Sequence, residues 1–226
     1  MSRPAYPHYR SSGVEWLGEI PEGWSAIPLK RKYEIQLGKM LQNNPASDAD
    51  ISTPYMKALH VHWGKVDTSD LPDMWASPAE LKQFEVRSGD LLVCEGGEAG
   101  RAGIVISAPD PCIIQNALHR VRGKGADVHF LQYVLQTVGS SGWFDFLCNK
   151  ATIAHFTREK LAELRIPMPP IFTELRAIAA FLDRETARID MLIEKKRRQI
   201  ELLREKRSAL VSHAVTKGLD PNVPMK

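Results

Sequence analysis

The stretch DMLIEKKRRQIELLREKRSALVSHAV, residues 190–215, constrains this chain more than any other. Charged side chains crowd it, and its apolar positions form only a thin seam. A helix of that kind cannot be buried inside a domain, so it needs a partner along the seam. The seam begins at Leu175, Ile178 and Leu182 and continues through Ile189, Ile193, Lys196, Ile200, Leu203, Arg207, Leu210 and Ala214. Its spacings alternate between three and four, with one irregular step near Thr186, which is heptad periodicity with a stutter. About 43 residues at ~1.5 Å each make a rod of ~65 Å. A helix lying on its own domain shows a wider stripe than this. The expected dimer or coiled-coil interface is therefore Leu175, Ile178, Leu182, Ile189, Ile193, Ile200, Leu203 and Leu210.

A length of 226 residues allows an ordinary domain plus that extension. Hydrophobic content of 43% and charged content of 25% belong to a globular chain, not a disordered one. Apolar runs such as GIVIS are far too short to span a bilayer, and the start MSRPAYPHYRSSG has no apolar signal-peptide core. Cys94, Cys112 and Cys148 are widely spaced, which suggests neither a disulfide framework nor a zinc cluster. A reducing cytoplasm is the expected compartment. Net charge is +3, of which residues 176–217 carry +5 and the remainder −2. Such a balance suits a nucleic-acid binder only if the basic residues gather on one face.

The pattern upstream predicts an α+β domain. Residues 1–13 read as a loose arm, and VEWLGEIPEGW as a packed turn leading into a short strand or helix. PYMKALHVHW is β-like and SPAELKQF helical. GDLLVCEGGEAGRAGIVIS, two apolar runs around a glycine-rich connection, predicts a β-hairpin. CIIQNALHRVR reads as a further strand, and residues 127–148 as a helix broken at Gly139 to Gly142. LRIPMPPI then forces an extended segment before the long helix begins. The expected organisation is a domain over residues 14–170, a helix over 171–216 and a tail over 217–226.

No catalytic centre is legible. Asp73 followed by Glu80-Leu81-Lys82 formally matches a metal-dependent nuclease pattern, but Glu80 and Lys82 fall in the predicted short helix. EGGEAGRAG lacks the spacing of a phosphate loop. His60 and His62 alternate on one strand face without an evident third metal ligand. PMPP lacks the Asp or Asn and the aromatic that flank the proline pair of adenine methyltransferases. Neither metal nor cofactor is expected on this chain.

The residues do resemble a known family, the specificity subunits of type I restriction-modification systems. GVEWLGEIPEGW resembles the opening of the family's target-recognition domain, GDLLVCEGGEAGRAGIV its glycine-punctuated hairpin, and CIIQNALHRVR the strand that follows. IPMPPIFTELRAIAAFLDRETARIDMLIEKKRRQIELLREKRSALVSHAVTKGLDP resembles its helical region almost throughout, with Leu175 departing from the Gln usual there. The resemblance implies a DNA-binding, non-catalytic subunit. It also implies modification subunits that bind S-adenosylmethionine, a motor-nuclease restriction subunit, and helices that pack antiparallel as a spacer. One recognition domain and one helix imply a half-length form, either a natural half-subunit that pairs with a copy of itself or a truncated first half. A coiled-coil assembly protein without sequence-specific DNA binding is the alternative.

On that reading, candidates for DNA contact lie in polar loops. Lys39, Gln42, Asn43 and Asn44 come from GKMLQNN, with amides suited to the edge of adenine. Lys57, His60, His62, Trp63 and Lys65 come from MKALHVHWGK. Arg101 in the hairpin fits guanine or a phosphate, and His119, Arg120, Arg122 and Lys124 form a basic run.

Overall fold

The computed structural model describes residues 6–147 and 155–219. Residues 1–5 of the expected arm, Cys148 and residues 220–226 of the expected tail lie outside these. The chain divides into two compact units, Met1–Ala179 and Ala180–Lys226. The first opens with strands β1 Tyr9–Ser11, β2 Glu19–Pro21, β3 Ser25–Pro28, β4 Tyr33–Leu37, β5 Ile51–Met56, β6 Val61–His62, β7 Gly64–Val66 and β8 Asp73–Ala76. Helix α1 Pro78–Phe84 follows, then β9 Leu91–Cys94, β10 Ala102–Ile104, β11 Ile113–Ile114 and β12 Leu118–Gly123. Helices α2 Val128–Ser140, α3 Trp143–Leu147 and α4 Arg158–Glu163 precede β13 Arg165–Met168 and α5 Phe172–Lys217.

A six-stranded sheet ordered β4-β12-β9-β10-β7-β6 forms the centre. Its middle strand, β9, is buried on both faces, and the alternation of a strand explains how. Leu91 and Val93 face one core, packed with Leu131, Leu135 and Val138 of α2. Leu92 and Cys94 face a second core with Met56, Val61, Ile114 and Leu118. A three-stranded sheet, β11-β5-β8, and two two-stranded sheets, β1-β2 and β13-β3, complete the unit.

The local signals have identifiable causes. Ser77 caps α1 by accepting from the Glu80 N–H, and Glu80 returns the bond to the Ser77 N–H. Asp127 caps α2 by accepting from the His129 N–H, and Thr157 caps α4 by accepting from the Lys160 N–H. β9 and β10 pair antiparallel around the glycine-rich loop, as a hairpin must.

Several expectations need correction. Tyr9–Ser11 pair with Glu19–Pro21 inside the stretch read as a loose arm. PYMKALHVHW is interrupted by a turn of 3-10 helix at Ala58–His60. CIIQNALHRVR is two strands in two different sheets, with the break at residues 115–117. Leu175 is wholly buried in the first core, and Ile178 packs partly buried against it. Both anchor the start of α5 within its own unit, so neither is available to a second helix. From Ile189 onward the seam is exposed: Ile189, Ile193, Ile200, Leu203 and Leu210 keep 44–61% of their surface.

His119 is fully buried, and its Nε2 lies 2.9 Å from the Phe156 carbonyl, so that nitrogen carries the proton. Burial holds the imidazoles of His119 and His60 below their ordinary range. The unfolded chain, with histidines titrating near ~6.5, then binds more protons than the folded one as pH falls through that value. Stability from these groups is present above ~6.5 and is lost on acidification. The melting temperature should fall between pH 7.5 and 5.5, where carboxylates stay ionised, and His119→Gln should flatten that fall. An unchanged slope in the variant would remove His119 from the account.

Candidate nucleic-acid interface

At one end of β4 and β12 the connecting loops are tied together by backbone bonds. Gly38 N–H donates to Leu118 O at 3.0 Å and Lys39 N–H to Ile114 O at 2.8 Å. Asn116 N–H donates to Lys39 O at 2.9 Å and Gln115 N–H to Met56 O at 3.0 Å. Glu95 N–H donates to Ala117 O at 3.0 Å, which brings in the glycine loop. Residues 38–44, 57–60, 95–101 and 115–117 therefore converge. Gly38 makes the convergence possible, because a Cβ there would lie 2.2 Å from Gln115 O. Gly100 has a second requirement, a φ of +81° and the ring of Phe144 where a Cβ would stand.

Side chains brace these loops. Trp63, between β6 and β7, donates from Nε1 to Glu98 Oε1 at 2.6 Å. Arg101 donates to the other Glu98 oxygen at 2.9 Å and to Ala58 O at 3.0 Å. Asp50 accepts from Gln42 Nε2, the Ala46 N–H and Ser47, so it fixes the loop after β4. Those donors, the Ala46 N–H first, hold the Asp50 carboxyl below its usual range.

Several predicted contact residues are spent inside the protein. Lys39 is buried, with Nζ 2.6 Å from Glu80 and 2.9 Å from Gln42. The same Glu80 closes the cap of α1, and Lys39 holds its carboxyl below the usual range. The formal nuclease acid is thus a structural anchor. His60 is buried and accepts the Lys57 N–H on Nδ1. His119 faces the first core. Arg120 is buried and donates to the Gln83 and Glu85 carbonyls, stopping the last turn of α1. Arg122 grips Asp90 through Nε at 2.6 Å and Nη2 at 2.8 Å. The expected basic run therefore does not exist as a patch: strand alternation turns His119 into the core, and Arg120 and Arg122, on the other face, are taken up by the Gln83 and Glu85 carbonyls and by Asp90. Lys124 is exposed, but its backbone bonds Lys32 at the other end of β4. At ~3.3 Å per residue that is roughly 16 Å from the loop junction.

What stays at the junction is a smaller set. Asn43 and Asn44 in the loop after β4 are exposed, and Lys57 and Trp63 are partly so; His62 and Lys65 are exposed too, but they lie level with Ile104, toward the Leu91 end of β9. Lys57 and Lys65 make no ion pair among the described residues. Met40 and Leu59, in loops 38–44 and 57–60, keep 75% and 60% of their surface exposed. Sequence reading passed over these two and the pair Gln115 and Asn116, which it placed inside a strand. The signal that could have found the pair is the amide dipeptide splitting two apolar runs.

A family model described as type I restriction modification DNA specificity domain matches residues 77–202. The chain belongs to that family. The type I restriction enzyme MjaVIII specificity subunit of Methanocaldococcus jannaschii is 26% identical over 214 residues, 88% of this chain and 47% of that protein. A chain from a structural study of assembly and conformational transition in the type I R-M system superposes with a TM-score of 0.68. It is 19% identical, with 93% of this chain and 49% of that one covered. The HsdS subunit from Thermoanaerobacter tengcongensis gives 0.60 at 20% identity, covering 93% and 48%. These likenesses show the fold, and the chain spans about half the length of the relatives it matches.

Arg122→Ala should destabilise the protein by about 3 kcal/mol by leaving Asp90 buried without its partner. That is the low end for a buried pair, since Arg122 keeps 27% of its side-chain surface in water. Lys57→Ala should leave stability within about 0.5 kcal/mol, as an exposed change does. Denaturant titration of the two variants separates a structural cation from a solvent-facing one; equal losses would contradict the assignment.

Proposed function

We propose that this chain is the sequence-recognition subunit of a type I restriction-modification complex and reads one half of a split DNA site. The observation that carries the proposal is the braced loop junction, with its exposed amides, its lysine and its apolar tips, in a chain of the specificity family. Amides and methyl-contacting apolar groups read base edges in the major groove, while lysines hold phosphates. On this reading the chain is non-catalytic. Modification subunits carry S-adenosylmethionine and the methyl transfer, and a restriction subunit joins the assembly in the cytoplasm. Among the described residues no helix is long and apolar enough to cross a membrane.

The exposed seam of α5 supports pairing with a second copy. Ile189, Ile193, Ile200, Leu203 and Leu210 are the interface of that pair, and two copies then present two recognition domains at a set spacing. The full chain should sediment as a dimer at micromolar concentration, and Ile200→Asp with Leu203→Asp should return it to monomer. A wild-type monomer would exclude the half-subunit form.

Methylation mapping of DNA from cells making the chain with its modification subunit tests recognition itself. An inverted-repeat split motif is expected, because one domain reads both arms. Absence of new methylation would favour an assembly protein whose helix pairs without reading DNA, a reading to which the same apolar seam lends support.

A further inference from the structure

We infer that Gln115 and Asn116, in the turn between β11 and β12, form a base-reading pair that recognises adenine. The inference rests on the reading of the chain as a DNA-recognition subunit. Both residues sit where the loops 38–44, 57–60 and 95–101 meet, and their backbone is fixed on every side. Gln115 N–H is bonded to Met56 O and Asn116 N–H to Lys39 O, while Gln115 O accepts from Leu118 N–H and Ala117 O from Glu95 N–H. Gly38 is pressed against Gln115 O, so the turn cannot shift toward β4.

The side chains are the opposite case. Each is partly exposed, and neither makes a hydrogen bond among the described residues. Their polar neighbours at the junction are already engaged: Lys39 with Glu80, Gln42 with Asp50, Arg101 with Glu98. A rigid backbone holding two uncommitted amides loses little freedom when they bind, which is the condition for selective recognition. An amide offers one donor and one acceptor in a plane, the complement of adenine N7 and N6 in the major groove. Lys57, which follows Met56 directly and makes no ion pair among the described residues, supplies a phosphate contact beside the pair.

The test uses the full chain assembled with its modification subunits and duplexes carrying the selected site. Gln115→Ala and Asn116→Ala are compared with wild type on that site, on sites with single base changes, and on sites where each adenine is replaced by 7-deazaadenine. Loss of N7 should weaken wild-type binding roughly 5- to 150-fold at the adenine being read, the range of one bidentate contact. The corresponding variant should bind that site equally weakly with either base, so the two changes do not add. Selective wild-type binding with both variants unchanged would overturn the inference and leave the recognition function standing. Uniform weakening on every duplex would also overturn it, since base readout is position-specific. A wild-type complex that shows no sequence preference would remove both. Melting temperatures serve as the folding control, and if an Ala variant melts early, Gln115→Met and Asn116→Leu carry the comparison at matched volume.

Discussion

The double-faced burial of β9 governs the rest of this molecule. Leu91 to Cys94 fill two cores at once, and the neighbouring strands β12 and β10 are bonded to them along their length. Loops that emerge from such strands inherit their rigidity. The glycine loop leaves β9 directly, the 115–117 turn feeds β12, and β7 is bonded to β10. Position at the junction is therefore set by the core, and only side-chain chemistry is left for the surface to vary.

Much of this was legible beforehand, and for particular reasons. The hairpin around Glu95 to Arg101 announced itself because two apolar runs bracket glycines. The short helix α1 announced itself through Ser77 and Glu80, whose side chains satisfy free N–H groups, and Pro78, which has no N–H to leave free. The heptad spacing of α5 is a property of sequence alone. Other features were hidden by the same rules. A seam of constant period does not state which partner each turn meets, so Leu175 and Ile178 looked like the rest although they lie in a core. Arg120 and Arg122 looked solvated because charge in a strand usually is; their carboxylate and carbonyl partners stand more than thirty residues away in sequence. The break at Gln115 was masked by apolar residues on both sides, which run on as though in one strand.

The buried cations also alter how charge should be weighed in this chain. Lys39, Arg120 and Arg122 contribute to the formal net charge of +3 yet are engaged by Glu80, by the Gln83 and Glu85 carbonyls and by Asp90 respectively. The field available to attract a polyanion is consequently weaker than the basic count suggests.

Glu98 accepts from both Trp63 and Arg101, and so cross-braces two loops that are 35 residues apart in sequence. A brace of that kind couples the fates of the parts it joins. Altering Trp63 removes the bond between the two loops, and altering Arg101 loosens the carboxylate that makes it. A change made in one loop is therefore felt in the other.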